Sequence, residues 1–94
     1  MAATNYDRGR AREYRSMNLI EVAGYEPIRS AGSHGTWDVI GVSDTGILLV
    51  QVKLNEKPTP AEYEAMHRAA CPPNGKKLLH FYRTGRHLPE IEEL

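Results

Sequence analysis

Three features of this 94-residue chain predict an α/β fold with a mixed central sheet flanked by helices. Two β-branched runs, residues 36–43 and 47–54, flank Asp44-Thr45-Gly46 and read as a hairpin. Ahead of them, residues 8–23 carry apolar positions at helical spacing. Behind them, Thr59-Pro60-Ala61-Glu62 opens a second helix that leads to a last strand over 76–83. The order is αβββαβ, in one domain spanning 1–94.

Residues 1–7 are small and polar and are expected to fray. In the first helix Glu13, Met17, Ile20 and Gly24 fall near one face, Leu19, Val22 and Ala23 widen the apolar side, and Gly24 supplies a stop. Glu13 is the odd member, an acid at the head of a stripe meant for the core. A pairing with Arg10 or a favourable position near the helix N-terminus would account for it without any function. Residues 25–29 suit a short edge strand, with Pro27 tolerated there. Residues 30–35 form a polar loop that brings Ser33 and His34 close in sequence to Asp38.

In the hairpin, Gly46 is expected to supply a positive φ. The second of its strands is apolar on both faces for most of its length and should lie centrally in the sheet. Thr59 then reads as an N-cap, Pro60 as the first helical residue and Glu62 as the closing member of a capping box. Met66 belongs to the packed face of that helix, Cys71 to packing at its end, and Pro72-Pro73-Asn74-Gly75 terminates it. Residues 85–94 are expected to form a loose C-terminal tail.

The formal charge is zero, with 12 Lys and Arg against 12 Asp and Glu, so attraction of a polyanion by overall charge is excluded. Local clustering remains: Arg8, Arg10, Arg12 and Arg15 crowd the start of the first helix. Charge runs of this kind commonly form a solvated face. The single cysteine cannot close an intrachain disulfide, and no apolar run suits a signal peptide or a membrane span. A soluble cytoplasmic protein with no membrane partner is expected. The four histidines lack zinc-ligand grouping, and no Ser/His/Asp triad follows from the spacing.

Asp38, Gln51 and Lys53 interrupt strands that are otherwise apolar. Gln51 and Lys53 share a face, about 7 Å apart along the chain. Burying an Asp, an amide and an ammonium singly would cost several kcal/mol each, on the order expected for unpaired polar groups. They are expected to converge at the open end of the hairpin, on one another, water or a metal.

With Glu13 on the first helix, Asp38 on the second strand and Gln51-Val52-Lys53 on the third, the chain resembles the PD-(D/E)xK nuclease superfamily, whose restriction-endonuclease-like core has this αβββαβ order. The small size, the Gly9-Arg10-Ala11-Arg12-Glu13 opening and the loop 29–35 are similar to archaeal-type Holliday-junction resolvases and related phage nucleases. The resemblance covers residues 8–83. It departs at Trp37, where the family usually has Pro, and at Gln51, where an acid is usual. Some restriction-type branches use the same Q-x-K pattern, and an amide oxygen can still ligate a hard cation.

The resemblance implies hydrolysis of DNA phosphodiesters with Mg²⁺, or Mn²⁺ in its place. It makes Asp38, Gln51, the Val52 carbonyl and Glu13 the metal-binding groups, and Glu13, Asp38, Gln51 and Lys53 the catalytic set. Arg8, Arg10, Arg12 and Arg15 would contact phosphates, and Ser33 and His34 would meet DNA near the cut. Branched DNA is the expected partner. Symmetric nicking of a junction implies a homodimer, since one small domain carries one site. A nicking, flap or restriction-type endonuclease, a catalytically inactive nucleic-acid-binding module of the same fold, and a structural α/β domain are the competing readings.

Overall fold

A computed structural model describes residues 4–30 and 35–94. Helix α1 spans Asn5–Val22 and begins three residues earlier than the apolar pattern alone indicates. Thr4 is the reason: its hydroxyl accepts from the Asp7 N–H and its own N–H donates to the Asp7 carboxylate, a capping box that replaces the expected frayed end. Gly24, at φ +100°, closes the helix as expected. Val22, placed by periodicity on the apolar side, is instead 89% exposed.

The strands are β1 (Glu26–Arg29), β2 (Val39–Val42), β3 (Ile47–Leu54), β4 (Gly75–Tyr82) and β5 (Glu90–Glu93), and α2 (Pro60–Arg68) crosses between β3 and β4. They form one sheet in the order β1-β2-β3-β4-β5. Only β3 and β4 run parallel; the other three pairs are antiparallel. β3 is central, as its two apolar faces predict. The expected tail is a fifth strand: the carboxyl-terminal residues pair with β4 from Leu78↔Glu93 to Phe81↔Glu90. Its acidic sequence gave no period-2 apolar signal, because every residue of β5 is exposed.

Helix α1 covers one face of the sheet, where Ile20 packs with Val39, Leu48 and Val50, and Met17, Tyr25, Val52 and Leu78 surround them. Gly41 lies beneath the helix, where a Cβ would come within 3.1 Å of the Ile20 side chain. In β3 the residues alternate with these, so Leu49, Gln51 and Lys53 look to the opposite face, toward α2 and its buried Met66. Among the described residues, Ser16 and His80 are the buried polar ones. Ser16 of α1 shares its hydroxyl with His80 Nδ1 (2.8 Å) and the Tyr82 hydroxyl (2.9 Å), which ties the helix to β4.

Gly46 does not supply the expected positive φ; among the described residues that conformation occurs at Asn55, Gly24 and Gly85. Space is what demands glycine here, because a Cβ would lie 2.5 Å from the Asn74 carbonyl oxygen, which also accepts from the Ile47 N–H. Gly46→Ala should therefore destabilise by about 1–3 kcal/mol. Gly9→Ala, at a helical position with nothing within 4 Å, should be neutral or slightly stabilising. Chemical denaturation of both variants checks this; equal midpoints would contradict the steric account.

Candidate active site at the open end of the hairpin

Pairing of β2 with β3 stops at Val39↔Val50, while β3 continues to Leu54. Asp38 lies just before β2 rather than within it. Its N–H nevertheless donates to the Val50 carbonyl (2.9 Å), and its carbonyl accepts from Ser30. Two successive residues, Asp38 and Val39, thus address the single residue Val50, the arrangement of a β-bulge, which bends a strand and re-aims a side chain. The re-aimed carboxylate accepts the Val52 N–H at 2.8 Å, taking the partner that β2 no longer provides. A strand residue's N–H and C=O leave by the same edge, so the Val52 carbonyl is directed to the Asp38 side as well.

Lys53, one residue on, turns to the α2 face, where its ammonium lies 2.8 Å from Glu62 Oε2. The other oxygen, Oε1, accepts the Thr59 N–H at 2.9 Å in the capping box of α2. These bonds, the Lys53 ammonium first, hold the Glu62 carboxyl below the usual range. Gln51 and Glu62 line the same cleft of about 300 Å³, together with Gly35, Thr36 and Ala65. By sequence Glu62 closes the cap and heads the helix stripe, with Ala65, Met66, Ala69 and Ala70, expected to pack on the sheet. The cap fixes where Glu62 sits on α2, but nothing in the spacing between 53 and 62 signals that the helix lays this carboxylate on the lysine.

Glu13 approaches from α1 and is engaged by Arg29 of β1, Nε to Oε1 at 3.0 Å, with the Arg29 guanidinium over the Tyr14 ring. Nothing in the local pattern around Arg29 signals this pairing across 16 positions. The four clustered arginines do not act as one patch. Arg8 and Arg10 are exposed on the first turns, and Arg10 pairs with Asp7 at 3.3 Å. Arg15 lies over the Tyr82 ring and donates to the His87 carbonyl, while Arg12 has its Nε buried. Ser33 and His34 lie outside the described residues. His80, beneath α1, is pushed down to about 4 by burial and is neutral at ordinary pH.

Burial is the main force on Asp38 and pushes its carboxyl up to about 6. The Val52 N–H works against that shift, the Glu13 charge adds to it, Lys53 opposes it and Glu62 adds to it. A half-buried carboxylate with two further carboxylates in its field is a site that an added cation would relieve. Among the described residues no three His, Cys, Asp or Glu side chains gather into a ready-made ion cage. Mg²⁺ seldom needs one, since it commonly takes one or two carboxylates and keeps water and phosphate for the rest. The oxygen atoms of Asp38, Glu13 and the Val52 carbonyl are donors of the type such an ion takes.

Neither a protein-family model nor a curated protein sequence matches this chain. A solved structure does: the Holliday junction resolvase Hjc of the archaeal hyperthermophile Archaeoglobus fulgidus, at TM-score 0.66 and 18% identity, over 84% of this chain and 67% of the resolvase. The fold is restriction-endonuclease-like. The site described here lies at the open end of the β2–β3 hairpin, where β3 runs on beyond Val50.

The sign of the Asp38 shift makes a prediction about stability. A carboxyl whose folded pKa lies above its ordinary 3.8 favours folding most at low pH, and that contribution is lost as pH rises through about 6. The full shift corresponds to about 3 kcal/mol, reduced to about 1–2 kcal/mol by solvent at this partly exposed group. Asp38→Asn, whose amide oxygen can still accept from Val52, should therefore stabilise the protein at pH 8 and make no difference near pH 4. Thermal melts at both values check this; a lowered melting temperature at pH 8 would contradict it.

Proposed function

We propose that this protein is a metal-dependent DNA endonuclease of the Holliday-junction resolvase type. The carrying observation is the Asp38 carboxylate, half-buried at the bulge that ends β2, with Lys53 and Glu13 acting on it electrostatically. The fold shared with the resolvase supports the reading, and so does the electrostatic reach of Glu13 on α1 and Lys53 on β3 to Asp38.

Asp38, Gln51, the Val52 carbonyl and Glu13 are the groups that would hold a divalent ion. Bound there, Mg²⁺ supplies Lewis-acid polarisation of a phosphoryl oxygen and a more acidic water. The chain's own residues do the rest. The Val52 N–H fixes the orientation of the Asp38 carboxylate through a 2.8 Å bond, so the ligand is preorganised rather than gathered by the ion. Lys53 presents an ammonium that would stabilise the negative charge growing on the phosphoryl oxygens of the pentacoordinate transition state. Arg29 holds Glu13 in place through the 3.0 Å pair. Arg8 and Arg10, exposed on the first turns of α1, supply phosphate contacts that position DNA without reading its bases. Cutting a four-way junction symmetrically requires two such sites, hence two copies of the chain related by a two-fold axis.

A catalytically inactive nucleic-acid-binding module is the second reading, and Gln51 in place of an acid favours it. One experiment separates the two. Purified protein is incubated with a four-way junction, a flap and a plain duplex, in Mg²⁺, Mn²⁺ or EDTA. Paired symmetric nicks in the junction, abolished by EDTA, are expected. Asp38→Asn and Lys53→Ala should lose cleavage while junction binding by gel shift persists. Metal-dependent cutting retained in both variants would remove these residues from the mechanism, and no cutting by the unaltered protein would favour the inactive module.

A further inference from the structure

Resting on the nuclease reading, we propose that Glu62 of α2 supplies the negative charge that Gln51 does not, acting as a positioning residue for Lys53. β3 carries no acid on the face where Gln51 and Lys53 project, so a lysine there would have no counter-charge from its own strand. Glu62 provides one at 2.8 Å, from a different element.

Both oxygens of Glu62 are fixed, and each by a different partner. Oε1 is held by the Thr59 N–H, and the Glu62 N–H is in turn held by the Thr59 hydroxyl at 3.1 Å. Pro60 begins the helix with φ already suited to it. The cap therefore immobilises the carboxylate before Lys53 arrives, and Oε2 is left to set where the ammonium stops. An unrestrained lysine has four rotatable bonds and loses much rotamer freedom on being placed; a fixed acceptor removes that cost from the bound state.

Glu62 also borders the same cleft as Gln51. One carboxylate on α2 thus does two things that an acid at position 51 would do: it balances Lys53 and it brings a negative charge to the cleft that Gln51 lines. Among the described residues Glu62 is the acid that meets Lys53.

Glu62→Gln tests this without removing the cap, because the amide oxygen can still accept the Thr59 N–H. Two readouts are taken on the full chain. Cleavage of the four-way junction in Mg²⁺ should fall about 10- to 100-fold, the range seen when a partner that orients a site residue is lost. Separately, Mn²⁺ quenching of Trp37, the single tryptophan and the neighbour of Asp38, should require a several-fold higher midpoint concentration. The double variant Gln51→Glu/Glu62→Gln, which returns the charge to β3, should recover both, and the melting temperature should stay near that of the unaltered protein.

A merely structural Glu62 would give no such rescue. Unchanged cleavage and unchanged Mn²⁺ quenching in Glu62→Gln would overturn the proposal while leaving the nuclease reading intact. If the unaltered protein cuts no DNA, the nuclease reading fails; the quenching series then decides alone, a weakened and rescued midpoint supporting the charge role and an unmoved one ending it.

Discussion

The bond from the Val52 N–H to the Asp38 carboxylate is the contact around which this small protein is arranged. It exists because pairing with β2 stops at Val50 while β3 runs on to Leu54. The Asp38 and Val39 backbones both address Val50, the ladder bends, and the next free donor on β3 is met by a side chain instead of a backbone carbonyl. A polar group in a half-buried position must be satisfied. Here that requirement and the placement of the Asp38 carboxylate are met by one bond.

The surrounding elements enforce this arrangement from three sides. β3 is buried between β2 and β4, so its register cannot slip without turning its apolar residues outward. Helix α1 is clamped to β4 through Ser16, His80 and Tyr82, a buried polar network with one shared hydroxyl, and it carries Glu13 one turn ahead of Ser16. Helix α2 brings Glu62 to Lys53 through its N-terminal cap. The cost is visible in Asp38 itself, whose carboxyl is driven up mainly by burial. Proteins commonly give up stability at the place where chemistry requires an awkward charge.

Much of the fold was legible because its signals are local and periodic. The capping box at Thr59, the two-sided apolar character of β3 and the stop at Gly24 each follow from a few neighbouring residues, and each stands as expected. The strand β5 was not legible, since an exposed, acidic edge strand is specified by the neighbour it pairs with and not by its own pattern. The start of α1 was missed for a related reason: the Thr4 and Asp7 cap lies ahead of any apolar repeat. Gly46 was expected to supply a positive φ and does not; what favours glycine there is the nearby Asn74 carbonyl.

The site divides along the same line. Asp38, Gln51 and Lys53 stood out as polar interruptions in apolar strands, whereas Glu62 and Arg29 are recruited across space and sat inside plausible local explanations, a cap and a strand end. The central claim is that Asp38 is a carboxylate held in a cation-seeking environment. Carboxyl ¹³C NMR titration of Asp38, with and without Mg²⁺, measures this directly. The account predicts a midpoint near 6 in the absence of metal that moves well down when Mg²⁺ is added. A midpoint at the ordinary aspartate value that is indifferent to Mg²⁺ would contradict it.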